Sequence, residues 1–456
     1  MATATRAPAQ RRLRALLVSS ALVSGAAWGA VGESLAVDAQ ARAALVGRGP
    51  QGLALVLLVL AALPLGSLTG APVLDAVSHA FGRRPAVLAC AALTVLGCPL
   101  AAGDQPLLLG VGIGIVGMGV GGYAIVAPKL AHELAEHGHR RLMPRVRATA
   151  PAGAGLALVC GALGSSLGSS SAPGLAPALS WAVPAVAAAA SFLLALSLPE
   201  TPHWYAAQGR LEEAYAALRR MLGTLEAAIG IDRVMMDTGT QGEQHPLGRG
   251  DLSIARVRRT VVAGLLLEVV QALPLGLASV CLGPALLAEA AGRGAASGAL
   301  PVPLGAVAAL TTSWVVVALL GTRRRGDRLA YAWILAGVGV SACGVTMLAL
   351  ASTLRGTGLV VLLVGVMVLL VACQFVAVTP ACTGSIDPLV PPWLRRSQRR
   401  AAAMIRPVVQ LVSVLAPALL LALAAAPTAL AVVLGCQVLS LVVAVAGLPR
   451  ALAALR

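Results

Sequence analysis

The chain has 456 residues, 58% of them apolar and 11% charged, with a formal net charge of +16. A soluble chain of that length forms about three domains of roughly 150 residues and carries about 25% charged residues. The low charge excludes that class, and the placement of the basic residues, given below, excludes a nucleic-acid surface.

About 20 apolar residues suffice to cross the roughly 30 Å hydrocarbon core of a bilayer. Twelve such spans occur, at 13–32, 52–70, 85–102, 106–128, 149–171, 175–198, 260–283, 299–320, 329–353, 357–380, 404–425 and 428–448. The Gly- and Ser-rich span 149–171 and the polar-interrupted span 299–320 are the weakest. Helix is the spanning form, because lipid offers no partner to an open backbone and the alternation of a barrel is absent. Arg11-Arg12-Leu13-Arg14 before the first span also fits a signal peptide, but cleavage would leave eleven spans. If the first span leaves the cytoplasm, 29 of the 34 basic residues fall in cytoplasmic segments. Arg42, Arg48, Arg293 and Arg355 fall outside, and Arg406 falls within a span. This positive-inside pattern puts both termini in the cytoplasm.

The fourth span contains Gly110-Val111-Gly112-Ile113-Gly114-Ile115-Val116-Gly117-Met118-Gly119-Val120-Gly121-Gly122, which twice matches G-x-G-x-x-G. A dinucleotide site needs a preceding strand, so glycines four apart read here as a close helix contact. His132-Glu133-Leu134-Ala135-Glu136-His137-Gly138-His139 misses the H-E-x-x-H zinc pattern at position 136. The eight cysteines all lie in or beside apolar spans and read as small buried hydrophobes. After the sixth span comes a polar segment, 199–259, whose part 210–222 has apolar residues at helical spacing.

Glu268 lies nine residues past Arg259, about 13 Å along a helix and so near mid-membrane. An acid there costs about 2.5–3.5 kcal/mol. It reads either as a cavity carboxylate for a cationic group or proton, or as a protonated or hydrated structural acid. Gln271, Gln374 and Gln410 are amides at helical positions that can bind a solute or stitch helices. Arg406, in the first turn of the eleventh span, reads as a snorkelling cation or a partner of Glu268.

A faint repeat divides the chain. Gly82-Arg83-Arg84 before span 3 resembles Gly326-Asp327-Arg328 before span 9, and Leu198-Pro199-Glu200 resembles Leu448-Pro449-Arg450. Two parallel six-helix halves are the architecture of major facilitator transporters, with the solute site between them. The expected fold is thus an all-α membrane protein of twelve transmembrane helices, with halves 1–198 and 260–456 and a cytoplasmic linker 199–259.

Pro199-Glu200-Thr201-Pro202-His203-Trp204-Tyr205, followed by Gly209-Arg210 and Glu213-Ala214, resembles the post-helix-6 signature P-E-S-P-R-W-L … G-R … E-A of solute carrier family 22. Gly82-Arg83-Arg84 and the run Tyr123 to Arg141, with Glu133 or Glu136 before the arginine, resemble that family too; sugar porters share several of these motifs. The resemblance implies movement of organic cations, anions or zwitterions by alternating access. It implies gating roles for Asp75, His79, Gly82, Arg83, Arg84, Glu133, Arg141, Glu200, Arg210, Arg323 and Arg328. Departures accompany it. Against G-x-x-x-D-R-x-G-R-R, Asp75 falls at the first Gly and His79 at the Asp, and Arg323 stands where an acid is expected. The family's cavity aromatics on helix 7 match Leu267, Glu268 and Pro274, and Gln410 stands where cation carriers have Asp and anion carriers Arg. These losses keep open a non-transporting receptor or scaffold.

The expected partners are a small organic solute and the lipid bilayer of the plasma membrane. No nucleic acid, cofactor, metal or catalytic residue is expected, and the chain reads as a monomer. The few intramembrane acids favour exchange or facilitated diffusion over proton coupling.

Overall fold

The computed structural model describes residues 2–38, 52–134, 149–167, 174–222 and 395–423, with short pieces between 224 and 265 and a few isolated positions. Within them run α1 (Ala2–Val37), α2 (Leu53–Ala80), α3 (Arg83–Ala101), α4 (Pro106–Leu134), α5 (Ala150–Leu167), α6 (Leu175–Leu196), α7 (Pro202–Ala207), α8 (Leu211–Leu222) and α9 (Arg395–Leu423). Each of the first six predicted spans has its helix, and α9 contains the start of the eleventh. Five described helices are long and apolar enough to cross a membrane: α1 from Gln10, α2, α3, α4 and α6. The Gly- and Ser-rich fifth span forms the short α5, whose apolar stretch is Ala152–Ser165. The remaining predicted spans lie outside the described residues, except for fragments of the seventh.

α4 runs between α2 and α3, α1 packs on α5 and α6, and α9 lies against α2. The glycines of α4 explain its place. A Cβ at Gly117 would sit 2.4 Å from the Leu63 carbonyl oxygen of α2, and one at Gly121 would sit 2.2 Å from that of Ser67. On the opposite face a Cβ at Gly112 would meet the Ala101 nitrogen of α3 at 2.3 Å. The run is a two-sided backbone contact, the means by which helices associate where lipid removes the hydrophobic drive. α1 and α5 use the same device, since a Cβ at Gly29 would lie 2.3 Å from the Ala154 carbonyl oxygen. Hydroxyl bonds add to the packing of α6 on α1: Ser19 Oγ lies 2.7 Å from Ser191 Oγ, and Trp181 Nε1 donates to Ser34 Oγ at 3.1 Å.

Beyond α6 the chain turns into α7, with Pro202 at its first position, where proline's missing N–H costs nothing. Gly209, at φ +75°, separates it from α8. α8 has acids in its first turn and arginines in its last, matching the helix dipole.

Gly121→Val is expected to destabilise the folded protein by about 1–3 kcal/mol or more, because Ser67 backbone occupies the needed volume. Gly114→Ala is expected to be neutral, since its Cβ would meet nothing closer than 4.0 Å. Thermal melting in detergent checks the pair; equal melting of Gly121→Val and wild type would refute this packing.

Candidate functional site

Polar side chains concentrate at one end of the bundle, where α2 turns into α3. The turn requires glycine: Gly82 has φ +112°, and a Cβ there would lie 2.3 Å from Oε2 of Glu200. Glu200 arrives from beyond α6. Its Oε1 accepts the Arg83 N–H at 2.9 Å and its Oε2 the Arg84 N–H at 3.0 Å. These are the first two N–H groups of α3, which have no partner within the helix, and a carboxylate suits the positive end of the dipole. Oε1 also takes the Thr201 N–H at 2.8 Å. Burial raises the Glu200 carboxyl above its ordinary range, while the three N–H groups and the Arg83 charge pull it down.

The two arginines reach in different directions. Arg84 donates from Nε to the Ala195 carbonyl at 3.1 Å and from Nη2 to that of Leu196 at 2.9 Å, both at the C-terminus of α6. Arg83 turns inward and holds Glu133 of α4, with Nη2 to Oε1 at 2.9 Å and Nε to Oε1 at 3.1 Å. Its Nη1 donates to the Ser78 carbonyl at 2.7 Å. Both members of the Arg83–Glu133 pair are buried, a setting in which removing one partner costs about 3–5 kcal/mol.

Beside this lies a second cluster. Asp75 is buried on α2, one turn before His79. It accepts a bond from Lys129 of α4 and another from Arg400 of α9, the latter from Nε to Oδ2 at 3.0 Å. His79 Nε2 lies 3.3 Å from Lys129 Nζ, 3.1 Å from Arg400 Nη2 and 3.8 Å from Asp75 Oδ1. Trp204 of α7 closes the edge, donating from Nε1 to the His79 carbonyl at 3.1 Å. Asp75 thus puts an acid four residues before position 79 on the same helix face.

Asp75, His79, Gly82, Arg83, Arg84, Glu133 and Glu200 are therefore brought together. Arg210 is not among them; it is exposed, pairs with Glu213 and lies 5.1 Å from the Tyr205 ring centre, an arrangement worth little in water. Gln410 is half-buried on α9, ten residues and about 15 Å beyond Arg400. Arg406 is not in a first turn, because α9 begins at Arg395, eleven residues earlier. The helix continues into the charged stretch ahead of its apolar span. Glu268, Gln271, Gln374, Arg141, Arg323 and Arg328 lie outside the described residues.

Three residues escaped the sequence reading. Lys129 is the chain's single lysine, and Arg400 is one arginine of the basic run ahead of the eleventh span. Glu33 is buried in α1, and a Cβ at Gly161 of α5 would lie 2.3 Å from its Cγ. It falls one residue past the end of the predicted first span, 13–32.

Apolar, membrane-length helices packed through glycine mark a membrane protein, and its solved likenesses give it the major facilitator fold. A structure of the xylose transporter XylE from E. coli superposes with a TM-score of 0.73 at 16% identity, covering 96% of this chain and 97% of that one. The human organic anion transporter MFSD10 gives a TM-score of 0.55 at 17% identity, covering 95% and 99%. The chain belongs to the sugar (and other) transporter family, whose sequence profile matches residues 18–453. Among curated proteins, the Probable inositol transporter 2 of Arabidopsis thaliana is 29% identical over 214 residues. That match spans 45% of this chain and 36% of the relative. The family is therefore broader than solute carrier family 22, and its members are transporters rather than enzymes.

Gly82→Ala is expected to lower stability by about 1–3 kcal/mol, from backbone strain and from displacing Glu200. Glu200→Gln keeps the shape of the side chain but can accept on only one oxygen, and should lose about 1–2 kcal/mol. Chemical denaturation in detergent measures both, and wild-type stability of either variant would contradict the capping role.

Proposed function

We propose that this protein moves a small polyhydroxylated solute, a sugar or cyclic polyol, across a membrane by alternating access. The two halves are 1–198 and 260–456, joined by the linker 199–259. The family profile over residues 18–453, with the likeness to a xylose transporter and an inositol transporter, supports the substrate class. The observation that carries the mechanism is the contact of Asp75, held by Lys129, with Arg400. It joins residues 325 positions apart at the rim of the bundle, where Arg400 is half exposed. Ion pairs at such a rim can break and re-form, as a rocking gate requires.

On this reading the charged end faces the cytoplasm, as the positive-inside pattern asks, with both termini on that side of the plasma membrane. Glu268, Gln271, Gln374 and Gln410 supply an acid and amides to solute hydroxyls at the cavity. Arg323, Arg328 and Arg141 take part in the same gating. The protein works as a monomer.

The segment Pro199 to Arg210 favours a second reading, an organic-ion carrier like those of solute carrier family 22. A scaffold without transport loses its main support, because Asp75 supplies the acid that position 79 lacks.

Uptake into proteoliposomes separates the three. Radiolabelled myo-inositol and D-xylose are expected to enter, a quaternary ammonium ion and a carboxylate anion are not, and absence of all four fluxes with folded protein would favour the scaffold. Asp75→Asn should change the initial rate about fivefold or more by removing the acid that Lys129 and Arg400 share, and Glu268→Gln should raise KM or abolish uptake. Unchanged kinetics would remove each residue from its role.

A further inference from the structure

We propose that His79 is a proton-binding site that releases α9 from α2 when the compartment at that end of the bundle acidifies. Among the described residues, charged groups reach the imidazole from three helices. Asp75 lies one turn back on α2, Lys129 projects from α4, and Arg400 reaches across from α9. Arg83 of α3 is turned away into Glu133, beside which His203 of α7 also lies, and the Trp204 indole of α7 binds the His79 carbonyl.

Two cationic donors therefore converge on one ring nitrogen, at 3.3 and 3.1 Å. Nε2 can receive either of them only as a lone pair, so the assembled contact holds the neutral ring with its proton on Nδ1. Adding a proton to Nε2 sets a donor against two donors and places three cations around one carboxylate. The new attraction, to Asp75 at 3.8 Å, is longer than both new repulsions. Withdrawal of Arg400 with α9 removes one repulsion and leaves His79 and Lys129 to share Asp75. Proton binding and the closed contact thus oppose each other, and by linkage acid favours opening. An aspartate at position 79 would stay ionised between pH 5 and 8 and give no response there, whereas an ordinary imidazole titrates at about 6.5.

The inference rests on reading this contact as a gate, but its test needs no solute, so it stands apart from the choice of substrate. Spin labels are attached through non-natural side chains at position 81, where Phe81 is 67% exposed, and at position 397, in the first turn of α9. Their separation is measured by pulsed resonance on the full chain in lipid nanodiscs at pH 8 and pH 5.5. Wild type should raise its ratio of long to short distances about fivefold or more on acidification. His79→Gln should hold one ratio at both pH values, and His79→Asp should keep the short distance at both. A wild-type distribution that ignores pH would overturn the proposal, as would a pH response retained in either variant. His79→Asp decides the matter should the glutamine variant fail to fold.

Discussion

One carboxylate, Glu200, sets the geometry from which the charged end follows. By accepting the first two N–H groups of α3 it fixes the direction in which that helix leaves the Gly82 turn. It thereby ties the end of α6 to the start of α3, and Arg84 completes the tie by binding the last carbonyls of α6. With α3 held, the Arg83 guanidinium turns inward to Glu133 and the Ser78 carbonyl. That pair joins α3 to α4 at the end where Lys129 of α4 meets Asp75. The chain of dependence runs from a helix cap to the residue that meets α9.

Two kinds of contact do different work in this bundle. The α2–α4 and α1–α5 contacts are backbone against backbone through glycine, with no slack for an added carbon at Gly117, Gly121 or Gly29. Such interfaces move as rigid bodies. The contact of α9 with α2 is instead made at the rim by long side chains and partly solvated charge. Rigid packing within a group of helices and adjustable charge at its border are the division of labour that a rocking transporter needs.

Much of this was legible in the sequence. Helix positions followed from hydropathy because lipid leaves the backbone no alternative. The close-packing role of the α4 glycines followed from their spacing, and the Gly82-Arg83-Arg84 turn with Glu200 was marked by a motif. What could not be read was pairing. Asp75 looked displaced because a linear motif counts residues, while a helix face counts turns; four residues earlier is the same face. Arg400 was one of several arginines in a row, and only the arrival of α9 beside α2 distinguishes it. Glu33 carries no local signal at all, since its surroundings come from α5, more than a hundred residues away.

The chain's single lysine has a chemical consequence. Lys129 is the only side-chain amine in 456 residues, and it is 15% exposed in its bond with Asp75. Every amine-directed reaction on a side chain of this protein, from laboratory acylation to enzymatic tagging for degradation, has that one atom as its target. Acylation there would erase the charge that holds Asp75. Reagents that react with amines therefore act on this protein as probes of a single contact, and their reaction rate measures how often α2 and α4 expose it.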